Sequence, residues 1–293
     1  MKFIKKWYTY QKERFPVIVY GTYMLVVVFA TFCVAYFSKF QVNLATNREW
    51  IKILPMFIGA FLQFLMIRIV DEFKDYKEDC KYRPYRPVPR GLVTLRELGI
   101  LFFICAIVQL ILSVIHNNLI PLLAVWTFFF IMSKGYFIKK IIDKHLLIEV
   151  TLDEILMPLL VIYLIGFIDI NIINSSITVY IFLLLTYIIA WIVEIARKIR
   201  CKKDEEEGVK TYTALLGIRK ATLLLWGLET IVFILQTLII GIKHLYMPVL
   251  FAVISIINYL FIKKQNKKMA KLAELSANMY IMIVYLSMGL LLV

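Results

Sequence analysis

The sequence predicts an all-α membrane protein of nine transmembrane helices, on three observations. Of 293 residues, 61% are hydrophobic and the mean hydropathy is +0.80, a composition that suits a bilayer and not a soluble core. Several stretches approach the roughly 20 apolar residues needed to cross a hydrocarbon core. Lysine and arginine alternate between crowded and nearly empty loops.

Taken in order, the apolar runs fall at residues 17–38, 52–71, 97–115, 119–133, 146–168, 177–195, 219–242, 245–262 and 272–293. The lead-in MKFIKKWYTYQKERFP is basic but runs into a long span with no small-residue cleavage site, so it reads as a cytoplasmic segment and not a signal peptide. The first, third, fifth, seventh and ninth breaks in the hydrophobic pattern (residues 1–16, 71–96, 134–145, 195–220 and 263–271) carry 5, 7, 4, 8 and 5 basic residues, 29 of the 34. The opposite side receives Lys39, Arg48, Lys52 and Lys243, and Arg68 lies within the second span. Positively charged short loops stay cytoplasmic, so the N-terminus is expected inside and the C-terminus outside. The expected location is the cytoplasmic membrane of a bacterium, with the chain as a single domain over 1–293. Two pseudo-repeated halves, 17–133 and 146–262, precede the ninth helix at 272–293.

Topology and anionic lipid account for most of the net charge of +14, and no nucleic-acid-binding module is recognisable. Cys33 and Cys105 fall within spans, while Cys80 and Cys201 fall in loops on the reducing side without the close spacing of a zinc site.

Polar residues then carry the chemistry. Asp71, Asp75 and Asp79 recur every four residues where the second span ends. A helix continued through Asp79 places all three on one face, where like charges four apart repel by roughly 0.2–0.5 kcal/mol per pair. A hard cation relieves that repulsion. Mg²⁺ takes one or two carboxylates, keeps waters and completes its shell with phosphate oxygens, so the row points to a diphosphate substrate. The following KYRPYRPVPRG is stiffened by Pro84, Pro87 and Pro89 and offers Lys81, Arg86 and Arg90 as phosphate donors. A second mixed-charge loop opens with Glu194, Arg197 and Lys198 and continues to Asp204, Glu205 and Glu207. Its plainest reading is an ion pair between Glu194 and Lys198 followed by a solvated acidic turn. Tyr136, Lys139 and Lys140 follow the fourth span as lid or phosphate contacts, and Glu149 and Asp153 share a face of the fifth, where they could orient an acceptor or bind a cation. Glu229, deep in the seventh span, reads as a protonated interhelical contact with Gln63, Gln109 or Gln236.

These residues resemble the UbiA superfamily of intramembrane prenyltransferases over nearly the whole chain. Asp71, Asp75 and Asp79 match its first motif, NxxxDxxxD, with aspartate in the asparagine place, and RPYRPVPRG resembles the RPLPSG-like segment that follows. The second motif, DxxxDxxxD, is degenerate: Glu194 takes the first place, while Lys198 and Lys202 take the next two. GVKTYTALLG again resembles the family's GVxTLxxxLG. The resemblance implies a nine-helix bundle around a central cavity opening near the cytoplasmic face. It also implies Mg²⁺-dependent transfer of a prenyl group from an isoprenyl diphosphate to a lipophilic or aromatic acceptor. Asp71, Asp75, Asp79 and Glu194 would be the metal ligands. Either Asp204, Glu205 or Glu207 folds back to complete a second metal site, or Arg197 and Lys198 bind the diphosphate directly. Two rivals stand beside this reading: cyclisation of the prenyl diphosphate without an acceptor, and a membrane transporter built around Glu229 and Asp153.

Overall fold

The computed structural model describes residues 2–40, 48–137, 146–174, 176–205, 211–241 and 244–292. Twelve α-helices are found among them. The basic lead-in forms α1 (Lys2–Arg14), and Phe15–Pro16 separates it from α2 (Val17–Phe40). Then come α3 (Ile53–Lys74), α4 (Tyr76–Tyr82), α5 (Leu95–Ile115), α6 (Leu119–Ser133), α7 (Leu146–Asp153) and α8 (Leu156–Gly166). The second half holds α9 (Ile177–Arg197), α10 (Tyr212–Ile240), α11 (Tyr246–Lys264) and α12 (Lys267–Leu291).

Among the described residues, seven helices are long and apolar enough to cross a membrane: α2, α3 with the turn before it, α5, and α9 to α12. The fourth expected span is the shorter α6, with the bounds read from the sequence. The fifth, expected as one span over 146–168, is broken into α7 and α8 at Glu154 and Ile155. Pro158 explains the break, because its ring clashes with the carbonyl of residue 154 and it has no N–H to donate. It is tolerated only in the first turn of a new helix, which is its place in α8. A second interruption lies in α10, where Gly217 takes φ 78°, ψ 156° and sets the turn 212–216 off from the long segment that follows. Only glycine adopts that geometry without strain.

The helices close into a ring. α2 packs on α3, α3 on α5, α5 on α6, α6 on α8, α8 on α9, and each of α9, α10 and α11 on its successor, until α12 returns to α2. α2 also touches α8 and α9, so half of its apolar stretch is buried, against about a fifth of that of α5. Outward-facing residues such as Phe103, Ile107 and Ile111 on α5 and Val249, Val253 and Ile256 on α11 are exposed in the direction lipid would occupy.

Polar residues inside the ring pair between neighbouring helices. Gln109 donates to the Gly59 carbonyl at 2.8 Å and accepts from Trp126 Nε1 at 3.1 Å, and Gln236 donates to Ser287 Oγ at 2.7 Å. The partner of Glu229 is none of the three glutamines expected. It is Asn258 on α11, whose Nδ2 donates to Glu229 Oε2 at 2.5 Å with both residues fully buried. The sequence pattern offered no way to pair α10 with α11 at this depth, because the register between two helices is set by packing. Asn258→Ala is expected to cost about 1–3 kcal/mol by stranding the carboxyl group. Glu229→Gln, which keeps an oxygen for Asn258, is expected to cost less. Thermal unfolding in detergent checks the ranking.

Candidate functional site

The end of the ring that carries Asp71 also gathers the two mixed-charge loops, and α1 lies across it. α3 stops at Asp75 (φ −91°, ψ −2°), and after one irregular residue α4 carries the chain on, with Asp75 N donating to the Asp71 carbonyl at 2.9 Å and Asp79 N to the Asp75 carbonyl at 2.8 Å. The expected common face is not kept. Each helical residue turns the chain by about 100°, so residue 79 lies about 80° round from residue 71 but only about 20° from residue 72. The structure follows that arithmetic. Asp79 joins Glu72 in a buried ionic cluster, while Asp71 and Asp75 remain apart from it.

In that cluster Glu72 Oε1 accepts from Arg14 Nε at 2.5 Å and from Arg68 Nη2 at 2.9 Å. Asp79 accepts from Arg83 Nη1 at 3.2 Å and from Arg86 Nη1 at 2.8 and 2.6 Å, with Arg14 Nη2 3.7 Å away. Both carboxylates are 2% exposed or less. Arg86 and Asp79, expected on phosphate and metal respectively, are thus bonded to each other. Arg90 is likewise engaged, by Glu13 at 2.9 Å and by the Tyr85 carbonyl at 2.7 Å. Lys81 is exposed, with its ammonium 4.7 Å from the Tyr82 ring centre. The loop between α4 and α5 is held from below by Tyr10, Ile69, Val88, Val93 and Leu98, which form a small apolar cluster of their own.

Asp71 and Asp75 are otherwise placed. Asp75 makes no ion pair or side-chain hydrogen bond among the described residues, and the nearest cation to Asp71 is Arg68 Nη1 at 3.8 Å. The Asp71 side chain keeps 42% of its surface accessible, yet protein surrounds it and the charges of Lys74, Asp75 and, from α9, Arg197 act on it. Arg197 in turn lies in the field of Asp71 and Tyr20. Asp71 and Arg197, from sequence-distant loops, thus lie within electrostatic reach of each other.

On the second loop, Glu194 holds both Arg197 and Lys198, the latter at 2.5 Å, so the expected pair with Lys198 is present and shared. Asp204 and Glu205 do not turn back toward Glu194. Asp204 pairs with Lys267 at 3.0 Å and accepts from Cys201 Sγ at 3.3 Å, contacts that hold its carboxyl below the usual range. Glu205 accepts from the hydroxyls of Thr211 and Thr213 at 2.6 and 2.7 Å, and the Thr211 hydroxyl also caps α10 by accepting from Ala214 N. Glu207, like Lys139 and Lys140, lies outside the described residues.

The break between α7 and α8 completes the site. Tyr136 donates to Asp153 Oδ1 at 2.7 Å, with a backbone in the left-handed region (φ 55°, ψ 20°) that an aromatic residue rarely adopts. Burial, reinforced by this bond, pushes the Tyr136 hydroxyl well above its ordinary pKa. The charges of Lys74, from α3, and of Glu149 and Glu194 act on Asp153. Glu154 is the residue the sequence reading missed. It has no ion-pair partner among the described residues and sits in the fields of Glu194, Arg197, Lys198 and Tyr23. The signal was Pro158: a proline four residues on breaks the helix at residue 154.

No group of three or more His, Cys, Asp or Glu among the described residues is arranged to hold a metal by itself. Asp75, with no ion pair among the described residues, and Asp71, whose ion pair is the 3.8 Å contact with Arg68, do fit an ion that takes two carboxylates and fills its shell with water and phosphate. Arg197, whose charge acts on Asp71, and Lys198, held beside it by Glu194, supply donors that suit a phosphate group.

Comparison with known proteins matches the family model described as the UbiA prenyltransferase family over residues 24–284. No curated protein sequence matches significantly. Among solved structures, a digeranylgeranylglyceryl phosphate synthase superposes with a TM-score of 0.64 at 22% identity, covering 98% of this chain and 99% of that one. A UbiA homologue from Aeropyrum pernix K1 gives 0.60 at 13% identity (92% and 94% covered), and one from Archaeoglobus fulgidus 0.52 at 14% (92% and 96%). At these identities the likeness is one of fold.

Proposed function

This chain belongs to the UbiA prenyltransferase family, and from that premise we propose that it transfers a prenyl group from an isoprenyl diphosphate to a lipophilic acceptor in a Mg²⁺-dependent reaction. The observation that carries the reading is the pair Asp71 and Asp75, which stand outside the buried ionic cluster while the charge of Arg197, from α9, acts on Asp71. The site would be the mouth of a central cavity on the cytoplasmic side, to which the basic loops point.

Asp71 and Asp75 would hold Mg²⁺, which supplies Lewis-acid neutralisation of the leaving diphosphate. Arg197 and Lys198 bind the same group directly, and that favours cations over a second metal at the degenerate motif. Glu194 orients both side chains. Asp79 is assigned a positioning role: with Arg83, Arg86 and Arg14 it fixes the turn that presents Asp75. Tyr23, half-buried, and Tyr212, fully buried, would give an allylic cation dry aromatic surroundings. Glu154, with Glu149 and Asp153 beside it, stands where an acceptor's proton can be taken. The match in fold to a digeranylgeranylglyceryl phosphate synthase supports a lipophilic acceptor.

The deciding experiment incubates purified protein with Mg²⁺, allylic diphosphates of increasing chain length and a lipid extract, and measures pyrophosphate and product masses. Release abolished by a chelator, with a product heavier than the acceptor by one prenyl group, is expected. Release without acceptor, giving a hydrocarbon or terpene alcohol, would assign cyclisation instead. No release from any donor, together with solute flux in proteoliposomes that depends on Glu229, would sink the enzyme reading. Tyr136→Phe, which frees Asp153, is expected to raise the KM for donor several-fold with a smaller effect on kcat. Steady-state kinetics at saturating acceptor checks it.

A further inference from the structure

α1 lies outside the ring, and its two ends are fastened at one depth. Near its start Lys6 Nζ bonds Glu97 Oε1 at 2.5 Å, in the first turn of α5; near its end Arg14 Nε bonds Glu72 Oε1 at 2.5 Å, in the last turn of α3. α3 and α5 are packed neighbours, and these are the ends that share one side of the bundle. A helix strung between them runs across the bundle axis, in the plane of the bilayer surface, and Pro16 then turns the chain down into α2. Its inner face is occupied: Tyr10 is buried in the cluster with Ile69, Val88, Val93 and Leu98, and Trp7 packs against it. Its outer face carries Ile4 and Tyr8, which are 74% and 64% exposed, together with exposed Lys5 and Lys12, while Phe3, on the line of Trp7 and against its ring, is 69% exposed where the helix begins. Glu13 is the one acidic residue of the helix, and it is taken by Arg90.

We propose that α1 is an interfacial helix that docks on the anionic headgroups of the bilayer surface, with Ile4 and Tyr8 sunk among them and Lys5 and Lys12 on their phosphates. Apolar and aromatic side chains flanked by lysines are the chemistry that such a surface recognises, and each lysine near it adds attraction that a zwitterionic surface lacks. The docking has a route inward. Arg14 ends the same helix and lies on both Glu72 and Asp79, so a seated α1 steadies the segment that carries Asp71 and Asp75.

The full-length protein, with Cys80 replaced by Ser and a spin label at Tyr8→Cys, is reconstituted in vesicles of phosphatidylglycerol or of phosphatidylcholine. Collision with oxygen and with a water-soluble nickel complex reports depth. The label is expected at headgroup depth in the anionic vesicles, well shielded from nickel compared with a label at exposed Glu78→Cys. Lys5→Glu with Lys12→Glu is expected to return it to the aqueous value. Backbone hydrogen exchange over residues 71–82 should be slower in anionic than in zwitterionic vesicles, and the double substitution should erase that difference. A label at residue 8 as open to nickel as the one at residue 78 in both lipids overturns the proposal. Dipolar broadening between labels also overturns it, by assigning the face to a second copy of the chain.

Discussion

Asp75→Asn is expected to lower Mg²⁺-dependent pyrophosphate release by about 100-fold or more, the scale on which removal of one electrostatic stabiliser acts. Stability should hardly change, because Asp75 makes no ion pair or side-chain hydrogen bond among the described residues, and relieving its repulsion with Asp71 is worth only a few tenths of a kcal/mol. Full melting temperature with lost release places the residue at the chemistry. An unfolded variant would instead show that Asp75 holds the fold, and unaltered release would remove it from the metal site. The Mg²⁺ concentration at half-maximal rate should rise for Asp71→Asn as well, since the two carboxylates are proposed to share one ion.

Asp79→Ala, four residues on in the same motif, is expected to behave the other way, with a loss of about 3–5 kcal/mol in stability. Removing one member of a buried ionic cluster leaves its partners charged and desolvated. Asp79 is almost fully buried, and Arg86, Arg83 and Arg14 converge on it. Arg14→Ala is expected to fall on the same side, because it uncovers both Glu72 and Asp79. Melting in detergent, with and without Mg²⁺, separates the two classes: added Mg²⁺ should stabilise the native protein and the Asp79→Ala variant, but not Asp75→Asn. An Asp79→Ala protein that melts like the native one, yet releases no pyrophosphate, would return Asp79 to the metal.

The contrast shows where a four-residue spacing stops being informative. Over one step it keeps two side chains on nearly the same line; over two steps the drift carries the third toward a neighbouring line, and here Glu72 and three arginines wait for it. Arg86 and Arg90 were equally ambiguous, since a guanidinium that fits a phosphate fits a carboxylate just as well. Lys198 on Glu194 was legible because both partners lie on one helix turn. Glu154 has a local signal as well, Pro158 four residues on, which breaks the fifth span there. The partner of Glu229 was not: Asn258 lies 29 residues away on another helix, and polar candidates at similar depth were several.

From the chain alone came the membrane class, the bounds of most spans, and the concentration of acidic and basic chemistry in two loops. Those are properties of hydrophobic run length and of local charge, which need no knowledge of neighbours. Closing the ring decided the rest: that Asp71 meets the field of Arg197 from a helix more than a hundred residues away, that Asp79 is turned into the fold, and that α1 braces the first motif. Ion pairs form between whichever charges packing brings within a few ångströms, and packing is set by the whole bundle.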